Sequence, residues 1–110
     1  MTTVRFLAAL ALVAAAAWSP PPARAAETFP PEQVKLGEKT YNTHCIRCHG
    51  IRMVNPVGFT YDLRKFPREQ KDRFFTSVSK GKGDMPPWGD LLKAEQIEGL
   101  WAYVQTEGKK

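Results

Sequence analysis

The sequence predicts an all-α domain of three helices joined by two shaped loops. Apolar residues recur at helical spacing in three segments, most clearly where Ile97, Leu100, Trp101 and Val104 are separated by three, four and seven positions. Strand signals are absent from the sequence, and glycines and prolines collect between the helical segments. We therefore expect a helical fold without a sheet.

The first predicted helix spans Glu32 to Cys48 and follows Pro31, whose missing N–H suits the first turn of a helix. The second spans Arg68 to Lys80, and Gly81 stops it in the position of a C-terminal cap. The last runs from Lys93 to Thr106 and carries the apolar stripe described above.

The two loops are indicated by their glycine and proline content. Gly50 to Thr60 holds two glycines together with Asn55 and Pro56, a composition typical of turns. Gly81 to Gly89 holds three glycines and two prolines, so special backbone dihedral angles shape it.

The N-terminus has the order of a secretory signal peptide. Met1 to Arg5 carry one positive charge, Phe6 to Trp18 form an apolar run, and Ser19 to Ala25 end in Ala-Arg-Ala. The apolar run is shorter than the roughly 20 residues that a membrane-spanning helix needs. We therefore predict that residues 1–25 are a cleaved signal peptide, that residues 26–110 form the mature domain, and that the protein is periplasmic.

The charge pattern argues against nucleic acid as a partner. Cleavage would remove Arg5 and Arg24 and no acidic residue, so the net charge would fall from +5 to 5 − 2 = +3. Basic and acidic residues are interspersed in Arg64 to Arg73 and in Lys80 to Asp90, as on a solvated surface. The mature 110 − 25 = 85 residues bury only a modest core, and domains of this size often depend on a bound group.

Cys45, Cys48 and His49 form the Cys-x-x-Cys-His pattern of covalent haem attachment. Thiols three residues apart lie about one helical turn from each other, so both can add to the vinyl groups on one porphyrin edge. Other uses of the motif fit less well. A thioredoxin-like redox pair belongs to a fold with strands, and the sequence shows no strand signals. Zinc needs about four ligands and iron–sulfur clusters ordinarily need four cysteines, whereas the sequence has two cysteines. We predict one covalently bound haem c, with Cys45 and Cys48 as anchors and His49 as the proximal iron ligand.

Met85 is the predicted second axial ligand, because pairing of histidine with methionine raises the potential of cytochromes c. The glycines before it let the backbone approach a ring closely, and the two prolines after it stiffen the chain. Met1 leaves with the signal peptide, and Met53 follows His49 by four residues, too near in sequence to reach the opposite haem face. His44 directly precedes the haem motif and is predicted to face solvent.

Across residues 26–110 the sequence resembles the class I cytochrome c family. Three features carry the resemblance: Gly37 and Tyr41, the motif from Cys45 to Gly50, and Met85-Pro86 followed by the helix of Leu100 to Val104. The resemblance implies three main helices around one covalently bound haem. It also implies that the first and last helices cross, Gly37 and Tyr41 meeting Leu100, Tyr103 and Val104.

The family places a backbone carbonyl behind the proximal histidine, and the resemblance implies that Pro56 supplies it, with Val54 and Asn55 as alternatives. Three aromatic side chains have two open roles, lining the haem or bonding a propionate on one hand and ordinary core packing on the other. They are Tyr61, Trp88 and Trp101.

The predicted function is one-electron transfer and not enzymatic catalysis. The sequence shows no nucleophile–base pair, paired carboxylates or phosphate loop, so the chemistry belongs to the cofactor. Four basic residues flank the two ligand segments and are candidates for a docking rim, with an ordinary solvated surface as the alternative: Arg47, Arg52, Lys80 and Lys82. Two other hypotheses stay open, a five-coordinate haem protein that binds gas or peroxide and a fixed subunit of a respiratory or dehydrogenase complex.

More narrowly, Asp62 to Phe66 and Met85 to Asp90 resemble small bacterial cytochromes that accept electrons from pyrroloquinoline quinone-dependent alcohol dehydrogenases. That resemblance implies a dehydrogenase as electron donor and an oxidase or another cytochrome as acceptor. We expect a monomer, without stable membrane insertion, that meets these redox partners briefly through small interfaces.

Overall fold

The computed structural model of the protein describes residues 9, 11–20, 28–55, 58 and 60–109. Over these residues the fold is helical, with one isolated bridge between Lys82 and Met85 and no strand. The α-helices of this part of the chain are α1 (Pro31–His44), α2 (Ile46–His49), α3 (Lys71–Lys80) and α4 (Ala94–Gln105). Short 3₁₀ helices lie at Ile51–Met53 and Leu63–Lys65. The all-α prediction is confirmed.

A break at Cys45 separates α1 from α2. The φ of Cys45 is −111°, far from the regular helical value, although its N–H still bonds the Tyr41 carbonyl at 2.8 Å. α2 ends at Gly50, whose φ of 83° is open to glycine at little cost. The prediction of one helix over 32–48 is therefore wrong at this residue, and the break gives the haem motif a turn of its own.

α3 differs from the prediction at its start, and α4 differs by one residue at each end. α3 begins at Lys71 and not at Arg68, because Pro67 closes a separate turn in which its carbonyl accepts from the Gln70 N–H at 3.1 Å. α4 begins at Ala94, one residue after the predicted start. The N–H of its N-cap residue Lys93 donates to the Gln96 side chain at 2.8 Å, half of a capping box that fixes the start of the helix.

α1 and α4 cross where two glycines meet. A Cβ added to Gly37 would lie 1.8 Å from the carbonyl oxygen of Gly99, so the two backbones are in direct contact. One helical turn further along α1, Tyr41 packs against Tyr103 with ring centroids 5.1 Å apart. The predicted crossing of the first and last helices is confirmed, and Gly99 is a partner that the sequence reasoning did not single out.

α3 packs on α4 and completes the core. Phe74 lies against Trp101 with ring centroids 5.2 Å apart, and Lys71 pairs with Glu98 across the same interface at 3.1 Å. The buried apolar side chains of the described residues are Tyr41, Met53, Phe74, Val78, Leu92, Ile97, Leu100, Trp101, Ala102, Tyr103 and Val104. Around this core, Cys45 and Met85 are only half-buried.

Much of the predicted signal peptide lies outside the described residues, which include positions 9 and 11–20 of it. Residues 11–20 form neither helix nor strand, and they expose Leu12, Val13 and Trp18. Among the described residues, no helix combines the length and the apolar character that crossing a membrane requires.

Candidate haem-binding site

The turn of α2 brings Cys45, Cys48 and His49 together. The Cys45 carbonyl accepts from the N–H groups of Cys48 at 3.2 Å and of His49 at 3.0 Å, so all three residues belong to one hydrogen-bonded turn. No disulfide joins the two cysteines, of which Cys45 is half-buried and Cys48 is exposed. This is the local geometry that the motif predicts, two thiols one turn apart with a histidine directly after the second.

Burial sets the protonation of this motif. It raises the pKa of the Cys45 thiol to about 11, with the neighbouring Cys48 as a second cause, so the thiol is protonated at neutral pH. Burial also lowers the pKa of His49, and the Tyr61 carbonyl opposes that effect only in part. The neutral imidazole is therefore favoured, which is the form that ligates a metal ion.

The carbonyl behind His49 is that of Tyr61. The distance from Nδ1 of His49 to the Tyr61 oxygen is 3.3 Å, and a carbonyl can only accept, so Nδ1 carries the proton and Nε2 keeps its lone pair. The predicted alternatives Val54 and Asn55 are wrong, because the bond goes to the Tyr61 carbonyl and to neither of theirs. Pro56, the first candidate, lies outside the described residues. A backbone acceptor depends on the path of the loop and leaves no mark in the sequence.

Asn55 and Thr60 tie that loop to the haem motif. The Thr60 hydroxyl donates to the Cys48 carbonyl at 3.0 Å. The Asn55 side-chain amide donates to the Thr60 carbonyl at 2.8 Å and also to the Thr60 hydroxyl oxygen. The sequence predicts Asn55 in a turn and as an alternative carbonyl behind His49, and it predicts no role for Thr60. The side chains of Asn55 and Thr60 therefore keep the loop of residues 50–60 hydrogen-bonded to α2.

A second tie fixes the other end of α2. The buried phenol of Tyr41 donates to the Gly50 carbonyl at 2.5 Å, directly after His49. Burial raises the pKa of Tyr41, and the nearby Tyr103 adds to that effect, so the phenol remains a donor throughout the physiological range. Tyr41 was predicted only at the helix crossing, and the structure gives it this additional contact.

Met85 lies in a tight loop between α3 and α4. Its N–H and carbonyl both pair with Lys82, at 3.0 and 3.1 Å. The loop then returns to α3, where the N–H groups of Trp88 and Gly89 bond the carbonyls of Val78 and Ser79 at 2.8 and 3.1 Å. The backbone of the loop is therefore anchored on both sides of Met85, whose side chain is half-buried against the core.

Met53 occupies a different environment from Met85. Its side chain is 1% exposed, enclosed by the protein core, so its sulfur does not face an open cleft. The half-buried Met85 is the better placed of the two sulfurs for a bound group.

His44 packs against the loop that carries Met85. Its ring lies 5.1 Å from that of Trp88, and the residue is half-buried. The prediction that His44 faces solvent is therefore wrong, because the end of α1 and the loop of residues 81–89 meet here.

The three candidate aromatic residues separate by burial. Trp101 is 0% exposed and packs among Phe66 and Phe74, so it belongs to the core and does not line an open cleft. Its indole N–H finds no acceptor within the described part of the chain. Tyr61 is 48% exposed and Trp88 is half-buried, so these two remain available to a bound group.

The half-buried side chains around the motif fit a large apolar group. They pack against the core on one side and remain partly open on the other, in contrast to the enclosed residues of the α1–α4 crossing. From the motif to the Met85 loop these residues are Cys45, Ile46, Leu63, Phe66, Phe75, Met85 and Trp88. Together with two thiols, a neutral imidazole and a thioether, they suit a covalently attached haem.

Known proteins are similar to this chain in sequence and in fold. Residues 32–104 match the family model described as cytochrome c oxidase, cbb3-type, subunit III. Cytochrome c6 of Synechococcus sp. (strain PCC 6312) is 31% identical, over 100% of this chain and 96% of that protein. The solved structure of cytochrome c6C from Synechococcus sp. PCC 7002 has a TM-score of 0.55 and 27% identity, over 68% of this chain and 98% of that chain.

One further relative is an enzyme. Quinohemoprotein alcohol dehydrogenase ADH IIB of Pseudomonas putida is 33% identical over 72% of this chain, which corresponds to 12% of that enzyme. The match therefore concerns a small part of the dehydrogenase.

With its helical fold, its attachment motif and these relatives, the chain belongs to the matched family of c-type cytochromes. It is a small class I cytochrome, an electron-transfer protein that carries one covalently bound haem c.

Proposed function

We propose that Cys45 and Cys48 attach the haem, that His49 and Met85 bind its iron, and that the protein accepts electrons from a periplasmic dehydrogenase. The observation that carries the site assignment is the bond from His49 Nδ1 to the Tyr61 carbonyl, because it leaves Nε2 free on the same turn as both thiols. When bound, haem c supplies one-electron redox chemistry at its iron.

Each residue of the site has a separate task in this proposal. The two thiols fix the cofactor to α2, and the Tyr61 carbonyl holds the imidazole of His49 in one tautomer and orientation. Met85 offers a soft, neutral thioether from a loop whose backbone is anchored to α3. With both His49 and Met85 bound to it, the iron would offer no open position to gas or peroxide.

Binding of carbon monoxide separates the carrier from the five-coordinate alternative. We expect the reduced holoprotein to bind carbon monoxide slowly and incompletely, because Met85 must first leave. Rapid and complete binding would contradict the Met85 assignment and would favour the ligand-binding hypothesis.

The dehydrogenase proposal is supported by the relative from Pseudomonas putida, in which a segment similar to this chain is part of a quinohemoprotein alcohol dehydrogenase. In this protein the same kind of domain would meet its donor as a separate molecule. The exposed side chains of Arg47, Arg52, Lys80 and Lys82 flank the ligand segments and would guide a partner of opposite charge.

Mixing experiments test the donor. A reduced quinoprotein alcohol dehydrogenase from the same cell should reduce the haem within seconds, and the rate should fall in Lys82→Glu at low ionic strength. Lys35→Glu is the matched control, because Lys35 lies beside Phe29 and Thr106, outside the two ligand segments. Absence of reduction would contradict the donor assignment and leave the haem site unaffected.

A fixed subunit of a respiratory complex is the second candidate, favoured by the description of the matching family. Sizing of the protein from its native periplasm distinguishes the two, since a carrier elutes as a free monomer and a subunit elutes with its complex. N-terminal sequencing of the same material tests export, and we expect the mature chain to begin at Ala26.

A further inference from the structure

We infer that Thr60 is a positioning residue for His49, an inference that rests on the proposed role of His49 as the proximal ligand. The Thr60 hydroxyl donates to the Cys48 carbonyl at 3.0 Å, and the carbonyl of the next residue, Tyr61, lies 3.3 Å from His49 Nδ1. Two consecutive loop residues thus contact two consecutive residues of the haem motif.

This pairing sets the register between the loop and α2. A lone bond from an imidazole to a carbonyl would leave the loop free to slide or rotate, because one hydrogen bond fixes little. The second bond, from Thr60 to Cys48, holds the backbone of residues 60 and 61 against the motif. The Thr60 hydroxyl bonds Cys48 and not the proposed iron ligand, so Thr60 acts on His49 through Tyr61.

Asn55 determines where the Thr60 hydroxyl points. The Asn55 side-chain oxygen accepts from the Gly58 N–H at 3.1 Å, so its amide nitrogen is the group directed at Thr60. That nitrogen donates to the Thr60 hydroxyl oxygen, which leaves the single hydroxyl proton for the Cys48 carbonyl. The result is a directed chain of hydrogen bonds from Asn55 through Thr60 to Cys48, in which each bond polarises the next.

The consequence for His49 is electronic as well as geometric. Donation from Nδ1 to a carbonyl makes the imidazole a more basic ligand at Nε2, and a more basic ligand favours the oxidised protein. If the loop were released from Cys48, the hydrogen bond from His49 Nδ1 to the Tyr61 carbonyl would weaken. The midpoint potential of the holoprotein should therefore rise when the Thr60 hydroxyl is removed.

The test compares Thr60→Val and Thr60→Ser in the holoprotein. Valine keeps the shape and removes the hydroxyl, and serine restores it. We expect Thr60→Val to raise the midpoint potential and to speed exchange of the His49 Nδ1 proton by about fivefold, the effect of losing one ordinary hydrogen bond. Thr60→Ser should return both values toward those of the unmodified protein.

Thr106→Val is the matched control, since it removes a hydroxyl that bonds the nearby Tyr103 carbonyl at 2.6 Å at the end of α4, away from the haem motif. If Thr60→Val proves too unstable, Asn55→Leu tests the same chain, because it removes the donor to Thr60 with little change in size and adds no charge. Its potential should shift in the same direction.

An unchanged potential and an unchanged proton exchange in Thr60→Val, whatever its stability, would overturn the inference and reduce Thr60 to a structural contact. A spectrum of the unmodified protein without histidine ligation would instead overturn the proposed function, so the two failures are distinguishable.

Discussion

Gly37 of α1 lies against the Gly99 carbonyl of α4, with room for no side-chain atom between them. The contact joins the helix that leads into the haem motif to the helix that carries most of the buried core. The aromatic pair of Tyr41 and Tyr103 continues the same interface. The position of α2 and its histidine therefore depends on the close approach of two backbones.

Gly37→Ala should destabilise the protein by about 3 kcal/mol, because the new Cβ would lie 1.8 Å from the Gly99 carbonyl oxygen and 2.9 Å from the Leu100 nitrogen, and backbone atoms give way poorly. Gly99→Ala is the comparison within the same crossing. Its Cβ would lie 2.9 Å from the Gly37 nitrogen, so we expect a smaller loss of about 1 kcal/mol. Denaturant unfolding of the two holoproteins measures the difference, and equal losses would contradict the asymmetry of the contact.

Gly81→Ala should weaken the hold on Met85. A Cβ at Gly81 would lie 2.6 Å from the Met85 carbonyl oxygen, and the φ of +76° is unfavourable for alanine. We expect loss of part of the near-infrared sulfur-to-iron band and faster binding of added imidazole. Gly83→Ala is the matched control, since its φ is also positive and no atom lies within 4 Å of the new Cβ. If both variants lose the band equally, backbone strain and not contact with Met85 is the cause.

Tyr41→Phe should cost about 1 kcal/mol of folding stability, because it removes a buried hydrogen bond and leaves the Gly50 carbonyl with the Met53 N–H, at 3.2 Å, as its remaining donor. The phenol of Tyr61 bonds the Lys65 carbonyl at 3.3 Å on the surface, so Tyr61→Phe should change stability far less. Chemical denaturation of both variants provides the measurement. If Tyr41→Phe left the free energy of unfolding unchanged, the Gly50 contact would contribute nothing to stability.

Asp62 makes stability depend on pH in the acid range. Its hydrogen bonds with Arg64 lower the pKa of the carboxyl below its ordinary value of 3.8. A group whose pKa is lower in the folded protein stabilises it above the unfolded pKa, and that contribution is lost as the pH falls through the folded value. We expect Asp62→Asn to remove a small part of the acid dependence below about pH 4. Asp90→Asn, an exposed loop variant, serves as control, and identical acid curves for Asp62→Asn and the unmodified protein would contradict the assignment.

Patterns within a segment were sufficient to predict much of this fold. The stripe from Ile97 to Val104 predicts α4 to within a residue at each end, since its apolar period is a local signal. The haem motif likewise needs only one turn of backbone to bring its residues together. The break at Cys45 was missed because it changes the dihedral angles of a single residue and no local residue type requires it.

Contacts between distant segments were harder to foresee. In the sequence, Gly99 is a residue of low helix propensity within a helix, and its role becomes visible only in the contact with Gly37. The acceptor for His49 is a main-chain atom of Tyr61, and any residue type has the same carbonyl, so its identity follows from the loop path alone. The prediction that His44 faces solvent rests on its position directly before Cys45. Its contact with Trp88, which lies 44 residues later in the chain, has no local signal.

The central claim, ligation of the iron by His49 and Met85, is tested most directly by the absorption spectrum of the oxidised holoprotein. We expect the weak near-infrared band of sulfur bonded to ferric iron in the unmodified protein, its loss in Met85→Leu and its retention in Met53→Leu, whose sulfur is enclosed in the core. Retention of the band in Met85→Leu, or a holoprotein that never shows it, would contradict the account.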